Sequence, residues 1–469
     1  MKKIISLAMI FLVAFSAFSM FITHSESVTG NEYRRKIIVD NSGNSETLTG
    51  YQVFFNVTYD SDMQPDFDDL RFTWYNETSG QEVSIDYWLD KYVDSEYAHV
   101  WVEVPLIRGL GQEVLYMYYG DPDAVSGSNG EETFVFFDDF STDTTSNYEV
   151  WYNQKGEISW DPNGWLFVNA TTRQPGGASN VHVRHKTALI DATEEKYWLE
   201  TRCMASGTGF LDYIGVTKAY KLDSKPSAGY FSVAYVFQGR ETAPMNHALI
   251  QSHYAPEGEP WEFRERCDIS TAVKDQWFRI GLGTSPDGAV IGRFYDDDYN
   301  ELGNLANQTI HQDNEWWVDL IASRGGTEEA TLYAYFDYAR VRKFTVPEPS
   351  YSIGPEEPLP ATINIDPDTL NLKSNGQWIT VYITLPEGYD VEDIVFEKVY
   401  LNGVPAVWSE IQNGVYMAKF DRAIVRHALT EMIDYEEGAK FYELTLTVTG
   451  ELIDRTKFNG SDTITVIKK

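Results

Sequence analysis

The chain has 469 residues, 43% of them hydrophobic and 14% aromatic, and a formal net charge of −34. That length suggests about three domains at roughly 150 residues each, and 30 Tyr with 25 Phe suit the pleated, half-buried surfaces of β-structure. Such an acidic excess excludes nucleic acid as a partner, since nothing would release counterions from a phosphate backbone, and it disfavours a bare anionic membrane surface. It reads as solubility outside the cell, with an acidic surface that gathers Ca2+ as the sharper alternative.

The chain opens MKKIISLAMIFLVAFSAFSMF. Lys2 and Lys3 precede an apolar stretch at 4–22, and Ala17-Phe18-Ser19 is a small-x-small cleavage signal. The apolar stretch is also long enough to span a bilayer uncut. Residues 1–24 are therefore expected to be a signal peptide or an N-terminal anchor, and the protein to be secreted or held at the cell surface. Asn56, Asn76, Asn169, Asn307 and Asn459 begin glycosylation sequons. Cys203 and Cys267 are the only cysteines. In an oxidising compartment one bridge between them is expected, against two buried thiols as the alternative.

The segment 30–128 is punctuated strand: RKIIVD, YQVFFNVTY, LRFTWY, VSIDYWLD, AHVWVEVP and EVLYMYYG, separated by Gly, Asn, Asp, Ser and Pro. Val100, Val102 and Val104 share a face, with Trp101 and Glu103 opposite. Val114, Tyr116 and Tyr118 oppose Leu115, Met117 and Tyr119, so this strand is expected at the centre of a sheet, its aromatics structural. The residues Tyr33-Arg34-Arg35-Lys36-Ile37, Leu48-Thr49-Gly50-Tyr51-Gln52-Val53, Asp69-Leu70-Arg71-Phe72, Tyr87-Trp88, Trp101-Val102-Glu103-Val104-Pro105 and Met117-Tyr118-Tyr119-Gly120-Asp121 resemble, in order and spacing, a secreted β-sandwich module of unknown function. That module occurs in archaeal and bacterial surface proteins and in the extracytoplasmic part of some proton-channel proteins. Asp90 stands where that family often has Glu, and Glu103 where it often has Lys. The resemblance implies no established activity.

The segment 130–346 runs from FVFFDDF through YWLETRCMA, YFSVAYVFQG, WFRIGLG, EWWVDLIAS and TLYAYFDYARVRKF. About ten to twelve strands in such a length suit a two-sheet sandwich or jelly roll. The aromatic entry strand, the Pro286-Asp287-Gly288 hairpin and the closing FDYARVRKF resemble a concanavalin-like lectin/glucanase sandwich. Residues 347–360, with Pro347, Pro349, Pro355, Pro358 and Pro360, read as a semi-rigid polyproline spacer. The segment 361–469 is mostly strand with one helix in DRAIVRHALTEMIDYEEG. Asp421 is its expected N-cap, Ile424, Val425, Ala428, Leu429, Met432 and Ile433 its apolar stripe, and Gly438 its stop. DPDTLNL, YMAKFDR, LTVTGEL and FNGSDTITVI resemble a C-terminal module of secreted archaeal and bacterial proteins without assigned activity. The expected fold class is all-β: three tandem β-sandwich modules, the middle one a concanavalin-like jelly roll, with one helix in the last.

No catalytic residue is expected. Concanavalin-like glucanases carry Glu-x-Asp-x-(x)-Glu on one strand, which points alternate carboxylates into one cleft. No Glu-x-Asp occurs in this chain. His182 and His185 have i,i+3 spacing, which sends the rings to opposite faces of a strand, and they read as surface histidines. Calcium is the best cofactor expectation. Asp296, Asp298 and Asn300 alternate oxygen donors, but Glu301 stands where an EF-hand needs Gly, so YDDDYNELG reads as a solvated hairpin tip. The concanavalin-like resemblance implies instead a structural Ca2+ at Asp138, Asp139 and Asp337, with ordinary edge-strand acids as the alternative. Sugar binding needs a flat exposed aromatic beside hydrogen-bonding groups. Trp74, Trp88, Trp101, Trp316 and Trp317 are the candidates, and of the adjacent Trp316 and Trp317 one must face outward. The expectation is a non-catalytic surface protein that binds polysaccharide or glycoprotein glycans through the middle module. The alternatives are a self-associating component of an envelope, filament or virion, and a glycoside hydrolase or lyase with carboxylates on separate strands.

Overall fold

The computed structural model describes residues 33–467 except 153–154, 173–176, 208–210, 220–229, 239–244, 254–262, 269–272, 287–289, 308–314, 327–329, 375, 387–388, 434–439 and 454–455. The expected leader at 1–24 lies outside the described residues. The protein is all-β, and its contacts divide it into two compact units, Ile37–Ile353 and Gly354–Lys469, with Tyr33–Lys36 counted in the second.

In the first unit, one sandwich is built from β1 (Tyr33–Asp40), β2 (Leu48–Thr58), β3 (Arg71–Asn76), β4 (Gln81–Ile85), β5 (Tyr87–Val93), β6 (Tyr97–Ile107) and β7 (Gln112–Tyr119). One sheet runs β1-β7-β3-β4 and the other β2-β6-β5. The alternation read from the sequence holds. Val100, Val102 and Val104 of β6 are buried, as are Leu115, Met117 and Tyr119 of the internal strand β7. Phe55 of β2 meets Phe72 of β3 between the sheets, ring centroids 6.2 Å apart.

A short helix, α1 (Gly130–Thr133), leads into the second sandwich. Its strands are β8 (Phe136–Asp138), β9 (Tyr148–Tyr152), β10 (Lys155–Asp161), β11 (Trp165–Thr172), β12 (Gly177–Asp191), β13 (Tyr197–Gly207), β14 (Leu211–Ala219), β15 (Tyr230–Gln238), β16 (Met245–His253), β17 (Phe263–Asp268), β18 (Phe278–Thr284), β19 (Val290–Asp296), β20 (Glu301–Asn307), β21 (Glu315–Gly326) and β22 (Ala330–Lys343). An eight-stranded sheet, β10-β11-β22-β13-β18-β19-β20 with β8 on β22, stacks on a seven-stranded sheet, β17-β16-β15-β14-β21-β12-β9. This is a large two-sheet β-sandwich, as expected. Alternate residues fill the space between the sheets, among them Leu199, Cys203 and Ala205 of β13 and Trp316, Val318, Leu320 and Ala322 of β21.

The outer face of the eight-stranded sheet is not solvent-facing. Trp88 and Trp101 of the first sandwich form a buried cluster with Phe134 and Tyr338, bordered by Phe54, Phe137 and Tyr299. Ion pairs cross the same boundary. Arg279 Nη1 lies 3.0 Å from both Asp90 carboxylate oxygens, and Tyr299 also donates to Asp90. Glu200 accepts from Arg340 at 2.5 Å, Tyr338 at 2.9 Å and Trp198 at 2.8 Å. Burial alone would raise both carboxyls, but Arg279 and Arg340 hold Asp90 below the usual range, as Arg340, Arg342 and Arg279 do Glu200. The 296–300 tip lies at the rim of this boundary: Asp298 and Asn300 are exposed, as expected, whereas Asp297 and Tyr299 reach inward. Asp297 pairs with Lys91 and Arg202, and Asp298 with Lys91.

The expected proline-rich spacer is largely strand, β23 (Ser350–Glu356). Before it, Glu348 pairs with Arg342 at 2.9 Å and Arg293 at 3.2 Å, and Tyr351 packs edge-on against Phe55. Pro355 is tolerated because β23 is an edge strand.

The second unit holds β24 (Leu359–Pro360), β25 (Thr362–Asp366), β26 (Thr369–Asn371), β27 (Trp378–Thr384), β28 (Tyr400–Leu401), β29 (Val404–Pro405), β30 (Trp408–Gln412), β31 (Val415–Asp421), β32 (Phe441–Glu451) and β33 (Lys457–Ile467). One sheet runs β24-β33-β32-β28-β29 with β26 on β33, the other β25-β27-β31-β30. The helix α2 (Arg422–Met432) starts at Asp421, whose carboxylate accepts from the Ala423 and Ile424 backbone N–H groups. Val425, Leu429 and Ile433 pack into the core, whereas Ile424, expected on the same stripe, is 53% exposed. Its position one residue before Val425 turns it off the buried face. Gly438 lies outside the described residues.

Candidate functional site

The outer face of the seven-stranded sheet holds a second cluster of polar and aromatic side chains, buried at its centre and with half-buried tryptophans beside it. Strand alternation fixes what it presents. β21 sends Trp316, Val318, Leu320 and Ala322 inward, which leaves Trp317, Asp319, Ile321 and Ser323 outward. On β12, Val181 and Val183 go inward and His182 and Arg184 outward. Asp319 lies opposite Arg184 on one side and Thr217 on the other. His182 lies opposite Trp151 of β9.

The centre of this face is a charged cluster. Asp319 Oδ2 is 2.8 Å from His182 Nδ1 and 3.3 Å from Arg184 Nε, and all three side chains are buried. The Trp151 ring sits 6.0 Å from the His182 ring, at 59°. Trp151 and Trp317 are both half-buried. Glu149 stands in the same cross-strand row as Asp319, with Arg184 between them. The two backbones are thus about 9–10 Å apart. Glu149 and Asp191, the other described carboxylates on β9, β12 and β21, are exposed, and Asp191 is tied to Thr193.

Of the five tryptophans expected to bind sugar, four are removed by burial. Trp74 is buried with its Nε1 3.4 Å from Glu113. Trp88 is enclosed by Phe134, Phe137 and Tyr338 in edge contacts. Trp101 lies under the Arg340 and Arg342 guanidinium groups, at 4.5 and 4.9 Å. Trp316 fills the sandwich core. Trp317 alone keeps an accessible face. Trp151, which the sequence reading passed over, joins it.

The expected calcium ligands do not converge. Asp138 accepts from the Phe140 N–H and the Tyr148 hydroxyl, and burial pushes its carboxyl up. Asp139 accepts from the Ser141 N–H. Asp337 pairs with Arg202 at 3.0 Å. Among the described residues these three do not form a metal-ligating group; each is held by a protein donor, and Asp337 by a cation. His182 is buried rather than at the surface. His185 stacks edge-on against Phe136 and Tyr148.

The expected disulfide is absent at Cys203, a free thiol in the core whose burial raises it well above the ordinary range. It belongs to the eight-stranded sheet, whereas Cys267 is on the edge strand of the other; the Cys267 side chain lies outside the described residues. Of the sequon asparagines, Asn56 is exposed, and Asn76, Asn169 and Asn459 are half-buried. The Asn76 side chain caps its own turn by accepting from the Thr78 N–H. The Asn307 side chain lies outside the described residues.

Residues 66–155 match the family model described as Domain of unknown function (DUF2341). No curated protein matches the chain. Solved structures similar to it include the legume lectin-like domain from Entamoeba histolytica, 13% identical, covering 43% of this chain and 92% of that one, TM-score 0.32. Another is an endo-1,3-beta-glucanase from Streptomyces sioyaensis, 14% identical, covering 45% and 96%, TM-score 0.32. A third is the VIP36 exoplasmic/lumenal domain in a Ca2+/Man3GlcNAc-bound form, 8% identical, covering 44% and 93%, TM-score 0.31.

Proposed function

We propose that this is an exported, non-catalytic protein that binds glycans on the outer face of the seven-stranded sheet. The carrying observation is the pair of half-buried rings, Trp151 and Trp317, on one face, on strands tied together beneath them by the buried His182–Asp319–Arg184 cluster. Aromatic rings take the C–H face of a sugar, and an exposed polar group on the same face, Glu149, can accept from its hydroxyls. The positive n-region and apolar stretch within residues 1–24 support export. The state of Asp319 supports binding over hydrolysis. An acid catalyst must carry a proton to the scissile oxygen, whereas Asp319 is engaged as an acceptor by Arg184 and paired with His182. The test is a glycan array probed with the full chain and with Trp317→Ala. Binding to a defined glycan class that is lost in the variant is expected. No glycan bound, or a variant that binds unchanged, overturns the reading.

A second reading rests on the Glu149–Arg184–Asp319 row. Two strand spacings suit the carboxyl separation of inverting glycosidases, roughly 6.5–9.5 Å. Release of reducing ends from a polysaccharide, abolished by Glu149→Gln, would establish it.

A further inference from the structure

The second unit carries an aromatic surface that no assignment covers. In the sheet β25-β27-β31-β30, β27 turns Ile379, Val381 and Ile383 into the core, and β31 does the same with Tyr416, Ala418 and Phe420. The opposite face therefore shows Trp378, Thr380, Tyr382 and Thr384 from β27, Met417 and Lys419 from β31, and Trp408 and Glu410 from β30. Trp378, Tyr382 and Trp408 are each 37% exposed. One exposed aromatic is ordinary on a protein surface, but three on one face of a small sheet are not required by the fold.

Their spacing is set by the sheet. Trp378 and Tyr382 are four residues apart on one strand, about 13 Å. Thr380 lies between them and opposite Lys419, which in turn lies opposite Trp408. Trp408 is thus two strands across from the midpoint, about 10 Å away. The Lys419 ammonium sits 4.0 Å above the Trp408 ring and holds it in place. Asn364 and Asp366 of β25 lie opposite Tyr382 and Thr380, adding amide and carboxylate acceptors beside the rings.

We propose that this face is a binding platform for a neutral polysaccharide. A protein partner selects an apolar centre with a polar rim; here the order is reversed, with Thr380 and Lys419 central and the rings at the corners. Glu410, Asp366 and Asp421 outnumber Lys419, so an anionic glycan is repelled. Rings spread over 10–13 Å and separated by hydroxyl and amide groups match an extended chain of sugar rings, each offering a C–H face and equatorial hydroxyls. The surface needs nothing from the seven-stranded sheet and stands whether or not that face binds sugar.

The experiment is retention of the full chain on insoluble cellulose, mannan and starch, with alginate gel as the anionic control. Trp378→Ala/Trp408→Ala is expected to weaken retention on at least one neutral polymer ten-fold or more, with the unfolding midpoint unchanged. Thr380→Arg, which blocks the centre and removes no ring, is expected to do the same. The same substitutions are also made on a Trp317→Ala background, so that any retention by the seven-stranded sheet is held constant. Retention equal to wild type in both platform variants overturns the proposal, as does binding to alginate alone. Conversion of a dimer to a monomer by these variants without loss of polysaccharide retention also overturns it and makes the face a contact between copies.

Discussion

Asp90→Ala removes one of the acidic partners inside the first unit. Asp90, Glu200 and Glu348 there face Arg279, Arg340 and Arg342. Asp90, Arg279 and Arg340 side chains are all at 0% exposure, so no solvent can take over the lost partner. The variant leaves one surplus buried cation, shared between Arg279 and Arg340. Breaking such a pair from one side costs about 3–5 kcal/mol, because an uncompensated charge stays inside. At about 2 °C per kcal/mol for a large unit, the midpoint should fall by roughly 6–10 °C. Tryptophan fluorescence reports it directly, since Trp88 and Trp101 line the same boundary. Asp90→Ala/Arg279→Ala should recover part of the loss, since the surplus charge goes with its owner. A midpoint for Asp90→Ala within about 2 °C of wild type would refute the view that these charges lock the two sandwiches together.

Glu103 has its carboxyl pushed up to about 7, first by burial and then by Asp86, against Lys343. The folded state then binds its proton more tightly than the unfolded chain, so this contribution to stability is full below about 4.5 and lost as pH rises through about 7. Glu103→Gln should flatten the fall in melting temperature between those pH values and be more stable than wild type at pH 8; an unchanged pH profile would count against it. Because Cys203 is a free, buried thiol, a reductant should leave the melting temperature unchanged, and a thiol reagent should label Cys203 only after unfolding. A Cβ at Gly281 would come within 2.1 Å of the Trp198 indole, so Gly281→Ala should destabilise by about 1–3 kcal/mol through overpacking, read by denaturant midpoint.

Strand alternation was legible wherever one face enters a core. It correctly opposed Val100, Val102 and Val104 to Trp101, and Trp316 to Trp317. The N-cap at Asp421 was equally readable, because capping depends on neighbours two and three residues away. What alternation cannot supply is the fate of the second face. Trp101 pointed away from its own core, as read, but a second sandwich covers it together with Trp88. The signal of that cover lies in Tyr338-x-Arg340-x-Arg342, an aromatic and two arginines on one face of a strand, which composition alone marks as solvent-exposed. The ligand set expected at Asp138, Asp139 and Asp337 did not assemble, for a related reason. Asp138, Asp139 and Asp337 are near in the strand order, yet each found a hydrogen-bond donor or an arginine, and such partners are set by distant segments. The Trp378–Tyr382–Trp408 face escaped attention because its rings come from two strands separated by a long stretch of chain.

The most direct test of the central claim is calorimetric titration of the full chain with the oligosaccharide that performs best on the array, with product analysis of the same sample. Saturable binding that Trp317→Ala reduces at least ten-fold, with the sugar recovered intact, is the predicted result. A cleaved oligosaccharide, or equal binding by wild type and Trp317→Ala, would contradict it.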